Sequence, residues 1–157
     1  MDIGSAQIRG KHDDLTQRVI GVFYDVYNEL GPGFLESVYR EAMRIALAQA
    51  GLRAECEVAI PVFFRGNNIG IFRADLIVNG MVLVELKACE AIIREHVSQT
   101  LNYLKATKIE VALLMNFGAV PRFRRLVMDN ESKGNQSESV PVGVIGVKPL
   151  SKAEVVR

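Results

Sequence analysis

The chain has 157 residues, a formal net charge of +1 and a hydrophobic fraction of 49%. This length suits one domain, and the hydrophobic fraction supports a packed core and excludes a disordered chain. The N-terminus lacks the apolar segment of a secretory signal, and no apolar run approaches the ~20 residues that cross a bilayer. We therefore expect a cytoplasmic protein without a membrane partner, in which Cys56 and Cys89 are reduced thiols.

The near-zero net charge bears on nucleic-acid binding. It argues against a strongly basic surface for nucleic acid, although a local basic cleft is compatible with it.

Two helices are predicted at the start of the chain. Residues 13–30 carry apolar side chains at intervals of three and four, the pattern of a helix with one buried face. The letters LGPGF interrupt this pattern, and a second helix is predicted from about residue 35 to 50. Its predicted inward-facing residues are Val38, Ala42, Ile45 and Leu47.

Three strands are predicted next, at 54–64, 69–78 and 81–88. The letters RGNN form a turn signal between the first two, and Asn79-Gly80 is a strong hairpin signal between the second and third. Pro61 assigns the first strand to the edge of a sheet or to a bulge.

A further helix over 92–107 precedes two strands at 110–117 and 123–129. This order of elements predicts one α/β or α+β layered domain over residues 1–129, in which helices flank a mixed β-sheet. Residues 130–157 are predicted as a flexible tail, with a short terminal strand at VGVIGV as the alternative.

Alternation along the predicted hairpin gives each strand one apolar face and one face that mixes charged and apolar side chains. The mixed face carries Asp75 in the second strand and Glu85 and Lys87 in the third. Ile77 and Leu83 accompany these charges, which is not typical of a solvated face and indicates a partly covered cleft. The apolar face of the second strand is predicted to consist of Phe72, Ala74, Leu76 and Val78.

The length of the hairpin loop decides whether the acids meet. A two-residue loop of Asn79 and Gly80 would put Asp75 and Glu85 on opposite faces, whereas an odd loop or a bulge brings them together. Burial of the apolar faces requires the second register, and Gly80 suits the left-handed position of a three-residue loop. We therefore predict an odd loop or a bulge, and a plain two-residue turn would contradict a site at these acids.

Two neighbouring carboxylates repel each other unless a cation lies between them, and Mg²⁺ prefers oxygen ligands. Such an ion, held by Asp75 and Glu85, can polarise a phosphoryl oxygen and activate a bound water. Lys87 on the same face can steady the water or the developing phosphate charge. A simple ion network on the sheet surface explains the spacing at least as well, because an acid two residues before a lysine is a common pattern.

Polar residues of the predicted helix at 92–107 share one stripe, because His96, Gln99 and Tyr103 follow at i, i+3 and i+7. Gln99 and Tyr103 could contact a phosphate or a metal-bound water. The alternatives are an exposed helix face and, for His96, a capping role.

Glu36 falls in the first turn of the second helix, between Gly33 and Tyr39 in the pattern Gly-x-x-Glu-x-x-Tyr. The helix dipole alone favours an acid at this position. The alternative is that Glu36 leans over the sheet as a third acid, with Tyr39 packed or hydrogen-bonded beside it.

Together these motifs closely resemble the GxxExxY family, which is assigned to the PD-(D/E)xK nuclease superfamily. The resemblance runs from about residue 13 to 127 and implies a restriction-endonuclease-like core, a mixed sheet flanked by helices. It rests on Gly33-x-x-Glu36-x-x-Tyr39, FRADLIV with Asp75, VELKA with Glu85 and Lys87, QTLNYLKAT with Gln99 and Tyr103, and LLMNFG.

The resemblance implies a metal-dependent phosphodiesterase that acts on DNA, with RNA as the alternative. In that superfamily the Asp and the Glu-x-Lys hold a divalent ion and the lysine assists hydrolysis. Asp75 and Glu85 match the ligands, and Lys87 matches the residue that positions or activates the water. The implied cofactor is Mg²⁺, with Mn²⁺ as a substitute.

The branch of the superfamily that resembles RecB and the CRISPR-associated exonucleases adds an acid on the preceding helix and a Gln-x-x-x-Tyr helix. Glu36 matches that acid as a third metal ligand, and Gln99 and Tyr103 match the helix residues that support the phosphate or orient the strand. The competing hypothesis is a nucleic-acid- or protein-binding module that keeps the fold without turnover. A domain this small has little room for specificity elements, which favours a homo-oligomer or a partner protein.

Overall fold

A computed structural model of the chain describes residues 10–134. Every helix and strand predicted in this range is present, with shifts only at the ends. The helices are α1 (Asp13–Leu30), α2 (Glu36–Gln49) and α3 (Arg94–Lys105), and the strands are β1 (Ala54–Phe64), β2 (Asn67–Val78), β3 (Val82–Lys87), β4 (Val111–Phe117) and β5 (Pro121–Val127).

The five strands form one mixed sheet in the order β1-β2-β3-β4-β5. β3 and β4 run parallel and are joined by α3, whereas the other neighbouring strands are antiparallel. One core packs α1 and α2 on one face of the sheet, and a second core packs α3 on the other face. This arrangement confirms the predicted fold class, an α/β domain with a restriction-endonuclease-like mixed sheet between helices.

β1 lies at the edge of the sheet, as Pro61 predicts, and its pairing with β2 shifts in register between Val62 and Phe63. Within residues 10–134, no helix is long and apolar enough to cross a membrane.

The β2–β3 hairpin has the odd loop that the burial pattern requires. The pair Val78–Val82 encloses a three-residue loop. Gly80 within this loop has a φ of 67°, in the left-handed region that favours glycine. The register therefore brings Asp75 across from Glu85, which confirms the prediction on which a site at these two acids depends.

The inward face of α2 is rotated by one residue from its prediction. Val38 and Ile45 were wrong as core residues, because they are 40% and 43% exposed. Tyr39 and Met43 fill the core in their place, together with Leu47, which was predicted correctly. Their spacing of four keeps them on one stripe of the helix, and the Tyr39 ring has more apolar area to bury than Val38.

The predicted apolar face of β2 is divided between the two cores. Leu76 and Val78 join the core under α1 and α2, whereas Ala74 joins the core under α3, so a single shared face was wrong. The alternation breaks where β1 contains Glu57, which has a left-handed φ of 50°. The neighbouring pairs in the register set Glu57 opposite Asp75, so the break falls at a predicted site residue.

The first residues of the predicted tail belong to the folded domain. Asn130–Ser132 forms a 3₁₀ helix. The buried side chain of Lys133 donates hydrogen bonds to the carbonyl oxygens of Thr107 and Ile109 at 2.9 and 2.5 Å. Packed structure therefore continues beyond the predicted boundary at residue 129. The remainder of the predicted tail, with its alternative strand, lies outside the described residues.

Lys133→Met is expected to lower the free energy of unfolding by about 1–3 kcal/mol. The substitution keeps most of the alkyl chain but deprives two carbonyl oxygens of a charged donor. Urea unfolding followed by circular dichroism measures the effect, with the exposed Lys108→Met as the control. Equal unfolding midpoints for the two variants would contradict a structural role for Lys133.

Candidate active site

The two predicted acids meet across the β2–β3 hairpin. Glu85 Oε1 accepts the backbone N–H of Asp75 at 3.0 Å, and Asp75 Oδ2 accepts the backbone N–H of Leu86 at 2.8 Å. Each carboxylate is thus anchored to the backbone of the opposite strand. Glu85 is only 4% exposed, and the Asp75 side chain is mostly buried.

Burial raises the pKa of Glu85 well above its usual range. The charge of Asp75 and a hydrogen bond between the two side chains raise the pKa further, and the backbone bond and the charge of Lys87 oppose them. Two carboxyl groups in such contact hold either a shared proton or a cation. The donor set is all oxygen, so the pair fits a hard divalent ion such as Mg²⁺.

A chain of hydrogen bonds joins Lys87 to α3. Lys87 Nζ donates to Gln99 Oε1 at 3.4 Å, and Gln99 Nε2 donates to Tyr103 Oη at 3.0 Å. Tyr103 is 5% exposed, which shows that an exposed helix face was the wrong alternative for this residue. Burial, followed by the charge of Glu85, raises the pKa of Tyr103 to about 12. Its phenol is therefore protonated at neutral pH.

His96 caps the N-terminus of α3, which was one of the roles predicted for it. Its Nδ1 accepts the backbone N–H of Ile93 at 3.2 Å, which satisfies one free donor before the first turn of α3. Burial lowers the pKa of His96, the charge of Lys87 lowers it further, and Glu36 raises it.

Glu36 itself is exposed. In the part of the chain that the structure describes, no group of three or more His, Cys, Asp or Glu side chains is close enough to hold a metal ion. Asp75 and Glu85 therefore form a two-acid pair here, and Glu36 as a third ligand stays a prediction.

The glycine and tyrosine that flank Glu36 shape the loop before α2. Gly33 has a φ of 111°, a conformation that other residues rarely adopt. Tyr39 Oη donates to the carbonyl of Gly31 at 2.5 Å and accepts the backbone N–H of Phe34 at 3.3 Å. The Tyr39 ring stacks on Phe117 with the centroids 4.0 Å apart. Tyr39 is therefore a structural residue that fixes this loop.

Tyr39→Phe is expected to reduce the free energy of unfolding by about 1–2 kcal/mol, because it keeps the ring but removes both hydrogen bonds of the hydroxyl. Thermal and urea unfolding provide the measurement, and Tyr24→Phe on the exposed side of α1 serves as the matched control. Unfolding of Tyr39→Phe indistinguishable from that of the control would show that the hydroxyl has no role in holding the loop.

Asn116, a polar residue in the buried strand VALLMNF, was not among the predicted site residues. Its side chain accepts the backbone N–H of Cys89 at 3.0 Å and donates to the carbonyl of Cys89 at 2.9 Å. A Cβ at Gly118 would approach that carbonyl oxygen to 2.5 Å, so the close contact requires glycine. The hydrogen bonds of Asn116 to the backbone of Cys89 therefore hold the segment that follows Lys87 in place at the end of β3. The signal in the sequence was an amide side chain within an otherwise apolar strand, which indicates a buried polar group with hydrogen-bond partners.

Arg40 is the second residue that the sequence reasoning missed. Its Nη1 lies 3.0 Å from Asp75 Oδ1, and its Nη2 lies 3.4 Å from Glu57 Oε1. Arg40 follows Glu36 by four residues, so both lie on the same side of α2. That spacing was the signal in the sequence.

The comparison with known protein families agrees with this geometry. The profile of the PD-(D/E)XK nuclease superfamily matches residues 13–126, from the first residue of α1 into β5. Neither the comparison with curated proteins nor the comparison with solved structures found a match. With a match over most of the sequence, the chain belongs to the PD-(D/E)XK nuclease superfamily.

Proposed function

We propose that this protein is a nuclease of the GxxExxY type that hydrolyses phosphodiester bonds of DNA, with RNA as the alternative substrate. The superfamily implies nuclease chemistry, a nucleic-acid substrate and a divalent metal ion. The proposal specifies Mg²⁺, which Mn²⁺ can replace, and a cytoplasmic location, where the free thiols Cys56 and Cys89 stay reduced.

The observation that carries the proposal is the contact between Asp75 and Glu85 across the hairpin, with Lys87 two residues further along β3. Asp75 and Glu85 would hold the ion, with Glu36 as the third ligand from α2. When bound, the ion supplies Lewis-acid chemistry, because it polarises a phosphoryl oxygen and makes a bound water more acidic.

Lys87 supplies the positive charge of the proposed site. One of its three N–H donors is engaged by Gln99, which leaves donors for the attacking water or for a phosphoryl oxygen. Gln99 is held in turn by the buried Tyr103, so the ammonium has a restricted position. A positioned cation in a partly desolvated site stabilises developing negative charge more strongly than one in bulk water.

Cleavage assays on labelled single-stranded DNA, duplex DNA and RNA test the proposal, with Mg²⁺ or Mn²⁺ present and with EDTA as the metal-free reference. Asp75→Asn keeps the size of the side chain but removes its charge, so metal-dependent cleavage is expected to fall to the background. The exposed Asp25→Asn on α1 is the matched control and keeps wild-type activity.

Cleavage that is equal in wild type, Asp75→Asn and Lys87→Ala would indicate a contaminating nuclease. That result would favour the binding module that keeps this fold without turnover.

A further inference from the structure

Arg40 joins an acid of the proposed site to an acid at the surface. The guanidinium contacts Asp75 at 3.0 Å and Glu57 at 3.4 Å. The side chains of Arg40 and Asp75 are 23% and 15% exposed, whereas that of Glu57 is 56% exposed. The two carboxylates that contact Arg40 therefore differ in burial. The contact with Asp75 is electrostatically the stronger one, because Asp75 is the more buried.

The two oxygens of Asp75 have partners of different mobility. Oδ2 accepts a hydrogen bond from the backbone of Leu86, which the β-sheet fixes in place. Oδ1 contacts the guanidinium of Arg40, which is carried on a long side chain with several rotatable bonds. A divalent ion arriving at Asp75 meets a positive charge already there, and the two cations repel each other. Oδ1 is therefore the oxygen at which an ion and Arg40 compete.

Glu57 provides a second position for the displaced guanidinium. It lies opposite Asp75 in the register of β1 and β2, and its left-handed φ of 50° accompanies the break in alternation at this point. Because Nη2 of Arg40 already contacts Glu57, a side-chain rotation can transfer the guanidinium outward without movement of the α2 backbone.

We propose that Arg40 is the internal counter-ion of the metal-free site, which neutralises Asp75 until a divalent ion binds and then moves to Glu57. The proposal rests on the proposed function, since it takes Asp75 and Glu85 as the ligands of the ion. Arg40 acts through Asp75 as a positioning residue. It offsets part of the negative charge of Asp75 in the metal-free protein, and it lowers the affinity for the ion.

Calorimetric titration with Mn²⁺, in the absence of nucleic acid, tests this role. Arg40→Gln removes the competing charge, and we expect it to bind Mn²⁺ about tenfold more tightly than wild type. Arg40→Lys keeps the charge and should remain within about threefold of wild type. The matched control is Arg44→Gln, one turn further along α2, where a half-exposed arginine pairs with Glu41. It should change the affinity less than about twofold.

A double-mutant cycle tests the movement to Glu57. Glu57→Gln removes the outer position of the guanidinium, so we expect about threefold weaker Mn²⁺ binding in the wild-type background. The same substitution should have a smaller effect in the Arg40→Gln background. An equal effect in both backgrounds would mean that Glu57 acts directly on the ion, and would overturn the exchange.

The outcomes distinguish this proposal from the proposed function. Unchanged or weaker Mn²⁺ binding by Arg40→Gln, while Asp75→Asn still abolishes binding, overturns the counter-ion role and leaves the nuclease function standing. Absence of Mn²⁺ binding to the wild-type protein, or binding that Asp75→Asn retains, overturns both. Circular dichroism of each variant establishes that the compared proteins are folded.

Discussion

Lys87→Ala is expected to reduce the rate of phosphodiester cleavage by about 10²–10³-fold while Mn²⁺ affinity changes by less than about threefold. Lys87 is bound to Gln99 at 3.4 Å and lies on β3 two residues after the proposed ligand Glu85. In the proposed site it would contribute a donor to the transition state without ligating the ion. Single-turnover cleavage at saturating Mg²⁺ measures the rate, and calorimetry with Mn²⁺ measures the affinity.

Lys105→Ala, at the exposed end of α3, is the matched control for Lys87→Ala and should cleave at the wild-type rate. If Lys87→Ala also cleaved at that rate, in preparations where Asp75→Asn is inactive, the lysine would have no part in the chemistry. A large loss of Mn²⁺ affinity would instead assign Lys87 to the structure of the metal site.

Glu85→Gln is expected to stabilise the metal-free protein by more than about 1 kcal/mol at pH 8 and to have little effect at pH 4. The substitution keeps the oxygen that accepts the backbone N–H of Asp75 at 3.0 Å. It removes a carboxyl group whose pKa is raised by burial and then by the charge of Asp75. Above the usual pKa of a glutamate, ionisation of Glu85 favours the unfolded chain, where the carboxylate is solvated. Glutamine cannot ionise, so the variant does not lose this part of its stability.

The pH window follows from the direction of the shift. The unfolded chain releases the Glu85 proton near the usual pKa of about 4.3, whereas the folded chain retains it to higher pH. Between these two pKa values the folded state binds more protons, so the stability of the wild type falls as pH rises through the window. Below the window both states are protonated, and the difference between wild type and variant disappears.

Urea unfolding in EDTA at several pH values measures this difference, with the exposed Glu90→Gln as the control. Saturating Mg²⁺ should stabilise wild type more than Glu85→Gln, because the variant lacks one proposed ligand. A pH-independent difference between wild type and Glu85→Gln would show that the Glu85 pKa is not raised in the folded protein.

The hairpin shows how far the sequence alone can define this site. Alternation assigned Asp75 and Glu85 to mixed faces, and the need to bury Val82 and Val84 required an odd loop. A register error of one residue would have exposed the apolar face, so burial set the register before any contact was known. The elements themselves followed from periodicity and from strong breakers such as the LGPGF segment.

Alternation did not predict the break at Asp75. The break coincides with the left-handed conformation of Glu57 in the neighbouring strand, for which the sequence carries no local signal. The spacing of Arg40 from Glu36 indicates only a shared side of α2, and the contact of Arg40 with Asp75 joins that helix to the sheet over a sequence separation of 35 residues. Periodicity describes the face of one element, and contacts between elements depend on how those elements pack.

Tyr103 and Tyr39 show the limit of assigning residues by type. Tyr103 occurs on a polar stripe with Gln99, yet its ring packs into the core under α3 and only its hydroxyl reaches Gln99. Tyr39 displaced the expected Val38 from the core because its large ring stacks on Phe117. A tyrosine can pack its ring in the core and hydrogen-bond through its hydroxyl, whereas a periodicity pattern assigns it only to an apolar or to a polar face.

In the proposed site, Asp75 and Glu85 together hold the divalent ion at which hydrolysis occurs. A crystal soaked in Mn²⁺ and measured for anomalous scattering shows whether these two residues are ligands, because a contaminating nuclease cannot place an ion in the crystal. We predict an anomalous peak about 2.1 Å from carboxylate oxygens of both Asp75 and Glu85. A map with no peak between these acids, while Mn²⁺ occupies other sites in the same crystal, would contradict the claim.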